Sequence, residues 1–186
     1  MDPNTIEAAI MKKGFVIREL KFEDFNDLIG TYFSYYKEII DNPDLGLCLS
    51  KKKPDMSEEV DWFASTYKEK LAGNKIVLVA EVDGKVVGIC DVTRLRPGTI
   101  ADHKGLLGIA IGREYRSRGI GSALIKEAIK RSRGKFELLM LSAFENNKAA
   151  INLYKKYGFK EYGSLPGSIK RGKKYTGERF MYLKLK

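Results

Sequence analysis

The chain has few of the residues that build metal centres and disulfide frameworks. Its 186 residues include two cysteines, Cys48 and Cys90, and one histidine, His103. Two cysteines without paired metal-ligand spacing do not make a disulfide scaffold, so we expect each thiol to be buried or idle. A single histidine argues against a histidine-rich metal site and against a Ser-His-Asp triad. We therefore expect no metal cofactor.

Long apolar runs are also missing from the sequence. No stretch approaches the roughly 20 apolar residues of a membrane span, and the N-terminus has no long apolar signal-peptide core. We expect a cytoplasmic protein that makes no membrane contact. The length lies within the usual range of one domain. We assign residues 1–186 to a single domain, with residues 1–14 as an N-terminal extension.

Charge is abundant but unevenly distributed along the chain. The formal net charge is +10, and residues 1–100 hold 14 Lys and Arg against 17 Asp and Glu. Residues 101–186 hold 20 Lys and Arg against 7 Asp and Glu. A positive field over the second part would attract a ligand that carries several negative charges. Nucleic acid is the less favoured ligand, because the basic residues are not interleaved with a recognised nucleic-acid-binding motif.

Hydrophobic periodicity predicts alternating strands and helices. The clearest local signal is Asp83-Gly84, a favoured hairpin turn between two apolar runs. The predicted strands are 15–20, 75–82, 85–92, 105–111, 138–144 and 180–185. The predicted helices are 22–36, 57–71, one that begins at residue 120 and one that begins at residue 147.

The segment Arg116-Ser-Arg-Gly-Ile-Gly-Ser-Ala123 lies between a predicted strand and a predicted helix. Glycines at 119 and 121 remove Cβ atoms that would keep a ligand away, and free N–H groups at a helix start favour an anion. The segment lacks the P-loop pattern, and Leu124 stands where a dinucleotide fingerprint needs a small residue. It therefore indicates a phosphate-binding turn of another kind.

A second motif follows, Asn147-Lys-Ala-Ala-Ile-Asn-Leu-Tyr-Lys-Lys-Tyr-Gly-Phe159. The first segment fits Arg/Gln-x-x-Gly-x-Gly/Ala, and the second fits Asn-x-x-Ala-Ile-x-Leu-Tyr-x-Lys-x-Gly-Phe. The two motifs, in this order, resemble the GNAT superfamily of acetyl-CoA-dependent N-acetyltransferases. The specific motifs lie within 105–159, and the match elsewhere is one of layout only.

The resemblance implies an α/β fold with a mixed, mostly antiparallel central sheet and helices on both faces. Two of its strands, here 105–111 and 138–144, splay apart and hold the pantetheine arm of acetyl-CoA between them. Asn147 is implied to contact this arm, or it only caps its helix. The other implied cofactor-binding residues are Ile109, Ala110, Ile111, Arg116, Ser117, Arg118, Gly119, Ile120, Gly121, Ser122 and Tyr154.

The activity implied by the resemblance is transfer of an acetyl group to a primary amine by direct attack on the thioester. The acceptor would be a protein or peptide N-terminus or a small-molecule amine, and Tyr154 would be the catalytic residue that protonates the departing sulfur. The alternative is a catalytically silent acyl-CoA-binding module with a regulatory or interaction role. Proteins of this superfamily are often dimers, which makes a homodimer an expectation as well.

The sequence leaves the identity of the general base open. Several family members place a glutamate where this chain has Gly105, so Asp102, His103, Asp91, Glu38 and water alone remain as alternatives. Without a strong base, an α-amine with a pKa near 8 is more often neutral at pH 7 than a lysine amine with a pKa near 10.4. This difference favours α-amines and small amines of low pKa.

Acceptor recognition is expected from segments outside the two motifs. They are Tyr32, Phe33, Tyr35, Tyr36, Trp62, the insert at 39–56 and a loop at 164–177.

Overall fold

A computed structural model describes residues 14–47 and 49–186 of the chain. The strands are β1 (Val16–Glu19), β2 (Lys75–Val82), β3 (Lys85–Arg94), β4 (Lys104–Ile111), β5 (Leu138–Phe144), β6 (Lys160–Arg171) and β7 (Lys174–Lys184). The α-helices are α1 (Phe25–Asp41), α2 (Met56–Leu71), α3 (Ile120–Ser132) and α4 (Lys148–Lys156), and short 3-10 turns occupy Phe22–Asp24 and Arg113–Tyr115. The N-terminal residues 1–13 and Cys48 lie outside the described residues.

The strands form a single mixed sheet in the order β1-β2-β3-β4-β5-β7-β6. The β4–β5 pair is parallel, and the other neighbouring pairs are antiparallel. The predicted hairpin between β2 and β3 is confirmed. Asp83 and Gly84 both have positive φ angles, 49° and 76°, as a two-residue turn with the twist of the flanking strands requires.

The parallel pair separates soon after it forms. β4 pairs with β5 only from Lys104–Leu138 to Leu106–Met140, although both strands continue, to Ile111 and to Phe144. Beyond the third pair, the edge of β4 that faces β5 therefore has unpaired N–H and C=O groups. This is the splayed geometry expected from the resemblance, and it opens a wedge in the middle of the sheet.

Helices cover both faces of the sheet, as predicted. On one face α3 and α4 pack over a core that includes the fully buried Leu124 and Ile125. On the other face α1 and α2 pack over Val77 and Val79, with Phe63 contributed by α2. Cys90 is fully buried in the first core, which confirms the prediction for that thiol, and burial raises its pKa.

Several boundaries differ from the sequence-based prediction. α1 begins at Phe25, because residues 22–24 form a 3-10 turn, and it continues through Asp41 into the expected insert. α2 begins at Met56, one residue before the predicted start, because Asp55 caps the helix by accepting a hydrogen bond from the N–H of Glu58. The predicted loop at 164–177 is wrong, since most of it belongs to β6 and β7. This hairpin is exposed on much of its surface, so it lacks the apolar alternation that identifies a strand.

Candidate active site

The wedge between β4 and β5 is a cavity of about 630 Å³. We call it the wedge cavity. Its walls are the end of β4, the turn into α3, the start of α4 and the loop that follows α1. Predicted cofactor residues that line it are Ile109, Ala110, Ile111, Arg116, Ser117, Gly119, Gly121, Ser122, Asn147 and Tyr154.

The turn into α3 presents backbone N–H groups to this cavity. Gly119 is the N-cap, in the left-handed conformation with φ 85°, and no side chain caps the helix. Its carbonyl accepts the N–H of Ala123 at 3.1 Å, so the N–H groups of Ile120, Gly121 and Ser122 have no acceptor within the helix. Such a helix start binds a phosphate or another anion.

The two glycines of the turn serve different purposes. A Cβ added to Gly119 would meet no atom within 4 Å, so glycine is needed there for its backbone conformation. A Cβ added to Gly121 would lie 3.2 Å from Leu153 Cδ2 and 3.3 Å from Ile111 Cδ1. Glycine at 121 therefore lets α3 approach α4 and β4 closely, a packing role that the sequence did not reveal.

The two arginines of the turn are placed differently from each other. Arg116 donates two hydrogen bonds to the carboxylate of Glu38 and one from Nε to the carbonyl of Ile111. Its guanidinium is thus engaged, although the residue lines the wedge cavity. Arg118 is exposed and stacks over the ring of Tyr115 at 5.4 Å. Arg118 and Ile120 do not line the wedge cavity, and Ile120 is a core residue.

Asn147 uses both ends of its side chain in contacts within the protein. Its Oδ1 accepts the N–H of Ala150 at 3.1 Å, and its Nδ2 donates to the carbonyl of Gly46 at 3.4 Å. The predicted helix cap is therefore confirmed. The second contact ties the start of α4 to the loop after α1.

Tyr154, a residue of α4, lines the wedge cavity. The residue is 5% exposed, and its ring packs edge-on against Phe159 with 5.9 Å between centroids. Burial raises the pKa of Tyr154 above the ordinary phenol value. Near neutral pH the side chain therefore keeps its proton, as a hydrogen-bond donor to a departing sulfur must.

Residues 42–47 form a loop that lines the wedge cavity, and we call it the mouth loop. Arg171, at the end of β6, donates hydrogen bonds to the carbonyls of Pro43, Leu45 and Leu47 at 2.6, 3.0 and 3.0 Å. The insert was expected on the acceptor side as a whole, but the mouth loop lines the wedge cavity instead. No local signal marks this placement, because the loop's contacts come from residues more than 100 positions away.

A second cavity, of about 400 Å³, lies on the other face of β4 beneath α1 and α2. We call it the acceptor-side cavity. Ala110 lines both cavities, so one residue of β4 separates them. Of the segments expected around an acceptor, Tyr32, Tyr35, Trp62 and part of the insert line this second cavity. Phe33, Tyr36 and the 164–177 segment do not.

Three of the four base candidates lie away from this cavity. Asp102 and His103 precede β4, at the end opposite Ala110, and the ring of His103 contacts the carbonyl of Ile100 at 3.2 Å. Glu38 is 6% exposed and is paired with Arg116.

Asp91, the fourth candidate, is on the same face of the sheet as Ala110. It pairs with Gly108, two residues before Ala110, and strand side chains alternate between faces. Its carboxylate accepts from Thr93 at 3.0 Å and pairs with Lys75 at 3.3 Å. The residue does not line the acceptor-side cavity.

Two carboxylates that the sequence analysis did not single out do line the acceptor-side cavity, Glu58 and Glu59. Glu59 is 4% exposed although it lies in the first turn of α2. The Asp55-x-x-Glu58 spacing is a capping-box signal and could have fixed the start of this helix. The sequence alone could not show that this turn faces β4.

A splayed sheet with an anion-binding helix start beside the splay is an arrangement suited to a phosphate-bearing acyl carrier such as acyl-CoA. In the part of the chain that the structure describes, no group of three or more His, Cys, Asp or Glu residues could hold a metal ion. No helix there is long and apolar enough to cross a membrane.

The sequence model of the acetyltransferase (GNAT) family matches residues 37–159. The chain belongs to this family, whose acetyl donor is acetyl-CoA.

Individual relatives agree with this assignment. An L-amino acid N-acetyltransferase of Escherichia coli is 34% identical over 117 residues, covering 59% of this chain and 65% of that protein. An N-alpha-acetyltransferase of Sulfurisphaera tokodaii is 39% identical over 93 residues, covering 45% and 55%. The match thus spans less than two thirds of either relative. A GNAT-family acetyltransferase structure from Streptococcus pneumoniae has a TM-score of 0.76 and 28% identity, covering 92% of this chain and 99% of that one.

Proposed function

We propose that this protein is an N-acetyltransferase that moves the acetyl group of acetyl-CoA directly onto a primary amine. The observation that carries the proposal is the position of Ala110. The wedge cavity lies on one side of this residue and the acceptor-side cavity on the other. An acetyl group held beside Ala110 would be open to an amine that enters from the opposite face, so no covalent acyl-enzyme is needed.

The residues of the wedge cavity fit acetyl-CoA by their chemistry. The edge of β4 that β5 leaves uncovered, at Ile109 to Ile111, offers backbone groups to the amides of a pantetheine arm. The carbonyl of Ile111 is the exception, because it already accepts a hydrogen bond from Arg116. The N–H groups at the start of α3 would hold the pyrophosphate, and the excess of basic residues after residue 100 favours such an anion. The bound donor supplies an acetyl thioester, and the protein chain supplies its orientation.

The presence of a protonated Tyr154 in the wall of the wedge cavity supports a role for it in assisting the departing sulfur. The amine nitrogen attacks the acetyl carbon, and the carbon–sulfur bond breaks as the new amide forms. The sulfur leaves as a thiolate and takes the Tyr154 hydroxyl proton, and the tyrosine is reprotonated by the proton that the amide nitrogen loses. A backbone N–H near Ile111 would stabilise the negative oxygen during the attack.

The names of the relatives leave two kinds of acceptor open. One relative is named for L-amino acids, whose amine has a carboxylate beside it, and the other for an N-alpha amine. We propose an acceptor amine of one of these kinds, bound in the acceptor-side cavity.

The test is acetyl-CoA-dependent thiol release with a panel of amines, on the native protein and on Tyr154→Phe. The variant keeps the ring and its contact with Phe159, so we expect turnover to fall about 100-fold while acetyl-CoA affinity stays within about twofold. Tyr157→Phe is the matched control, because Tyr157 lies just after α4 and does not line the cavity. Tight acetyl-CoA binding without thiol release from any amine would favour the silent acyl-CoA-binding module instead.

A further inference from the structure

The acceptor-side cavity is acidic, although the chain as a whole is strongly basic. The chain carries a formal charge of +10, yet the charged residues among those described around this cavity are Glu58 and Glu59, without a Lys or Arg. Aromatic rings of Tyr32 and Trp62 form part of the remaining wall. Carboxylates and aromatic faces both attract an ammonium group.

The two carboxylates differ in what holds them. Glu58 completes the capping box of α2, because its Oε2 accepts the N–H of Asp55 at 2.8 Å. Glu59 is more deeply buried, and no described residue donates a hydrogen bond to its carboxylate or pairs with it. Burial, together with the charge of Glu58, raises the pKa of Glu59 above the ordinary carboxyl value. The Glu59 oxygens are not among the fully buried atoms without a partner, so a ligand in the cavity can contact them, and a cation there would supply the partner that the described residues do not.

Tyr35 contributes a tyrosine ring to the same wall, and its hydroxyl lies away from Glu59. The residue is 3% exposed and lines the acceptor-side cavity. Its hydroxyl is buried and has no hydrogen-bond partner among the described residues. Buried hydroxyl groups are otherwise paired in folded proteins. The charges that act on this hydroxyl are those of Arg116 and Glu38, so Glu59, and not Tyr35, indicates an ammonium ligand.

We propose that Glu59 binds the acceptor as an ammonium ion and then takes its proton, and that the acceptor is a primary amine without a carboxylate beside it. The inference rests on the proposed function and narrows its substrate. A carboxylate on the carbon that bears the amine would enter beside Glu58 and Glu59 with no cation to neutralise it. The cavity therefore favours an aminoacyl amide, as at a peptide N-terminus, or an uncharged-tail amine over a free amino acid.

The acceptor, Glu59 and Tyr154 together account for both protons that the ammonium loses. The ammonium transfers one proton to the Glu59 carboxylate, which becomes a neutral carboxylic acid, and the freed nitrogen lone pair attacks the acetyl carbon. The second proton leaves the nitrogen as the amide forms and ends on the CoA sulfur by way of Tyr154. Glu59 returns its proton to water before the next turnover. No oxidant or metal is required.

Binding of the acceptor can be measured without catalysis, because Trp62 is the single tryptophan of the chain and lines this cavity. The probes are L-phenylalaninamide, 2-phenylethylamine and L-phenylalanine, titrated at pH 7 with tryptophan fluorescence as the readout. We expect the first two to bind at least tenfold more tightly than phenylalanine, and to be acetylated with a correspondingly higher kcat/KM. Equal or tighter binding of phenylalanine, or binding of none of the three, would overturn the inference. Selective binding without thiol release would contradict the acetyltransferase proposal but not the binding preference.

The role of Glu59 is tested by Glu59→Gln, with Glu69→Gln on the same helix as the matched control. We expect kcat/KM for phenylalaninamide to fall by about 10²–10⁴ in the first variant and to change little in the second. Acetyl-CoA affinity should be unchanged in both, which also shows that the variants fold. Unchanged kcat/KM in Glu59→Gln would overturn the assignment.

The pH profile separates a proton acceptor from a residue that only shapes the cavity. The other titratable residues that line this cavity are Glu58 on the same helix and Tyr32 and Tyr35 on α1. Of these, Glu58 acts on the pKa of Glu59. The native protein should lose activity at low pH as Glu59 becomes protonated, in addition to the loss caused by protonation of the amine. Glu59→Gln should show only the loss of activity that protonation of the amine causes. An identical profile in both proteins would contradict proton transfer to Glu59.

Discussion

The guanidinium of Arg116 forms a two-point ion pair with the carboxylate of Glu38, with N–O distances of 2.5 and 2.8 Å. Glu38 lies near the end of α1, and Arg116 lies in the turn that leads into α3. The third nitrogen of the guanidinium donates to the carbonyl of Ile111, the last residue of β4. One side chain therefore links a helix beside the acceptor-side cavity, the strand between the two cavities, and the phosphate-binding turn.

Removal of the Glu38 charge is expected to loosen all three elements. In Glu38→Gln the guanidinium would stay partly buried without its anion, and we expect the free energy of unfolding to fall by about 2 kcal/mol, below the usual figure for a fully buried pair. Acetyl-CoA affinity should fall as well, because the turn loses its anchor. Urea denaturation measures the loss of stability, and calorimetric titration measures the loss of acetyl-CoA affinity.

The control for this prediction is Asp41→Asn. The pair of Asp41 with Arg113 is exposed at both ends, so the free energy of unfolding should fall by less than about 0.5 kcal/mol. Equal losses would contradict this account.

Arg171 is predicted to control how long acetyl-CoA stays bound. Its guanidinium holds three carbonyls of the mouth loop, and without it these carbonyls must find water. We expect Arg171→Ala to raise the Kd for acetyl-CoA about tenfold, roughly 1.4 kcal/mol, mainly through faster dissociation. A stopped-flow chase with unlabelled CoA measures the rate.

The control for this prediction is Arg179→Ala on the neighbouring strand. Arg179 pairs with Glu161 within the β6–β7 hairpin and does not contact the mouth loop. Its loss should leave the dissociation rate unchanged. If both variants release acetyl-CoA equally fast, the hairpin as a whole, and not the Arg171 contacts, would control release.

Features determined by neighbouring residues were predicted well from the sequence. The Asp83-Gly84 turn, the Asn147 cap and the glycine-containing turn at 116–122 each depend on residue types within a few positions. Such features follow from backbone geometry and local hydrogen bonding alone.

Features determined by contacts between distant segments were not predicted. Glu38 was considered as a base, because nothing in its surroundings along the chain indicates that Arg116 neutralises it. Glu59 lies in the first turn of a helix, where the helix dipole favours acidic residues, so its sequence position gives no sign of a further role. Its burial against β4 depends on how α2 packs on the sheet. Periodicity alone does not give that packing.

Gly119 gives a test of backbone conformation separate from ligand contact. Its φ is +85°, and a Cβ there would meet nothing within 4 Å, so substitution should act only through strain. We expect Gly119→Ala to lower the free energy of unfolding by about 1 kcal/mol, and Gly119→Asn by less, because asparagine tolerates the left-handed region. Urea denaturation of the two variants checks the order. A larger loss for asparagine than for alanine would show that side-chain space, and not φ, is limiting.

Glu59→Gln should make the protein more stable at neutral pH while it impairs acetyl transfer. The pKa of Glu59 is raised by burial and by Glu58, so the folded protein holds this proton more tightly than the unfolded chain does. Between the ordinary glutamate pKa, about 4.3, and the raised one, unfolding releases the proton, and stability falls as the pH rises through that interval. Glutamine does not ionise and avoids this loss.

We therefore expect Glu59→Gln to have a higher urea midpoint than the native protein at pH 7. Below about pH 4 the two proteins should show no difference attributable to ionisation. Glu69→Gln should show neither effect. A gain of equal size at both pH values would mean that the substitution acts through packing and not through the buried charge.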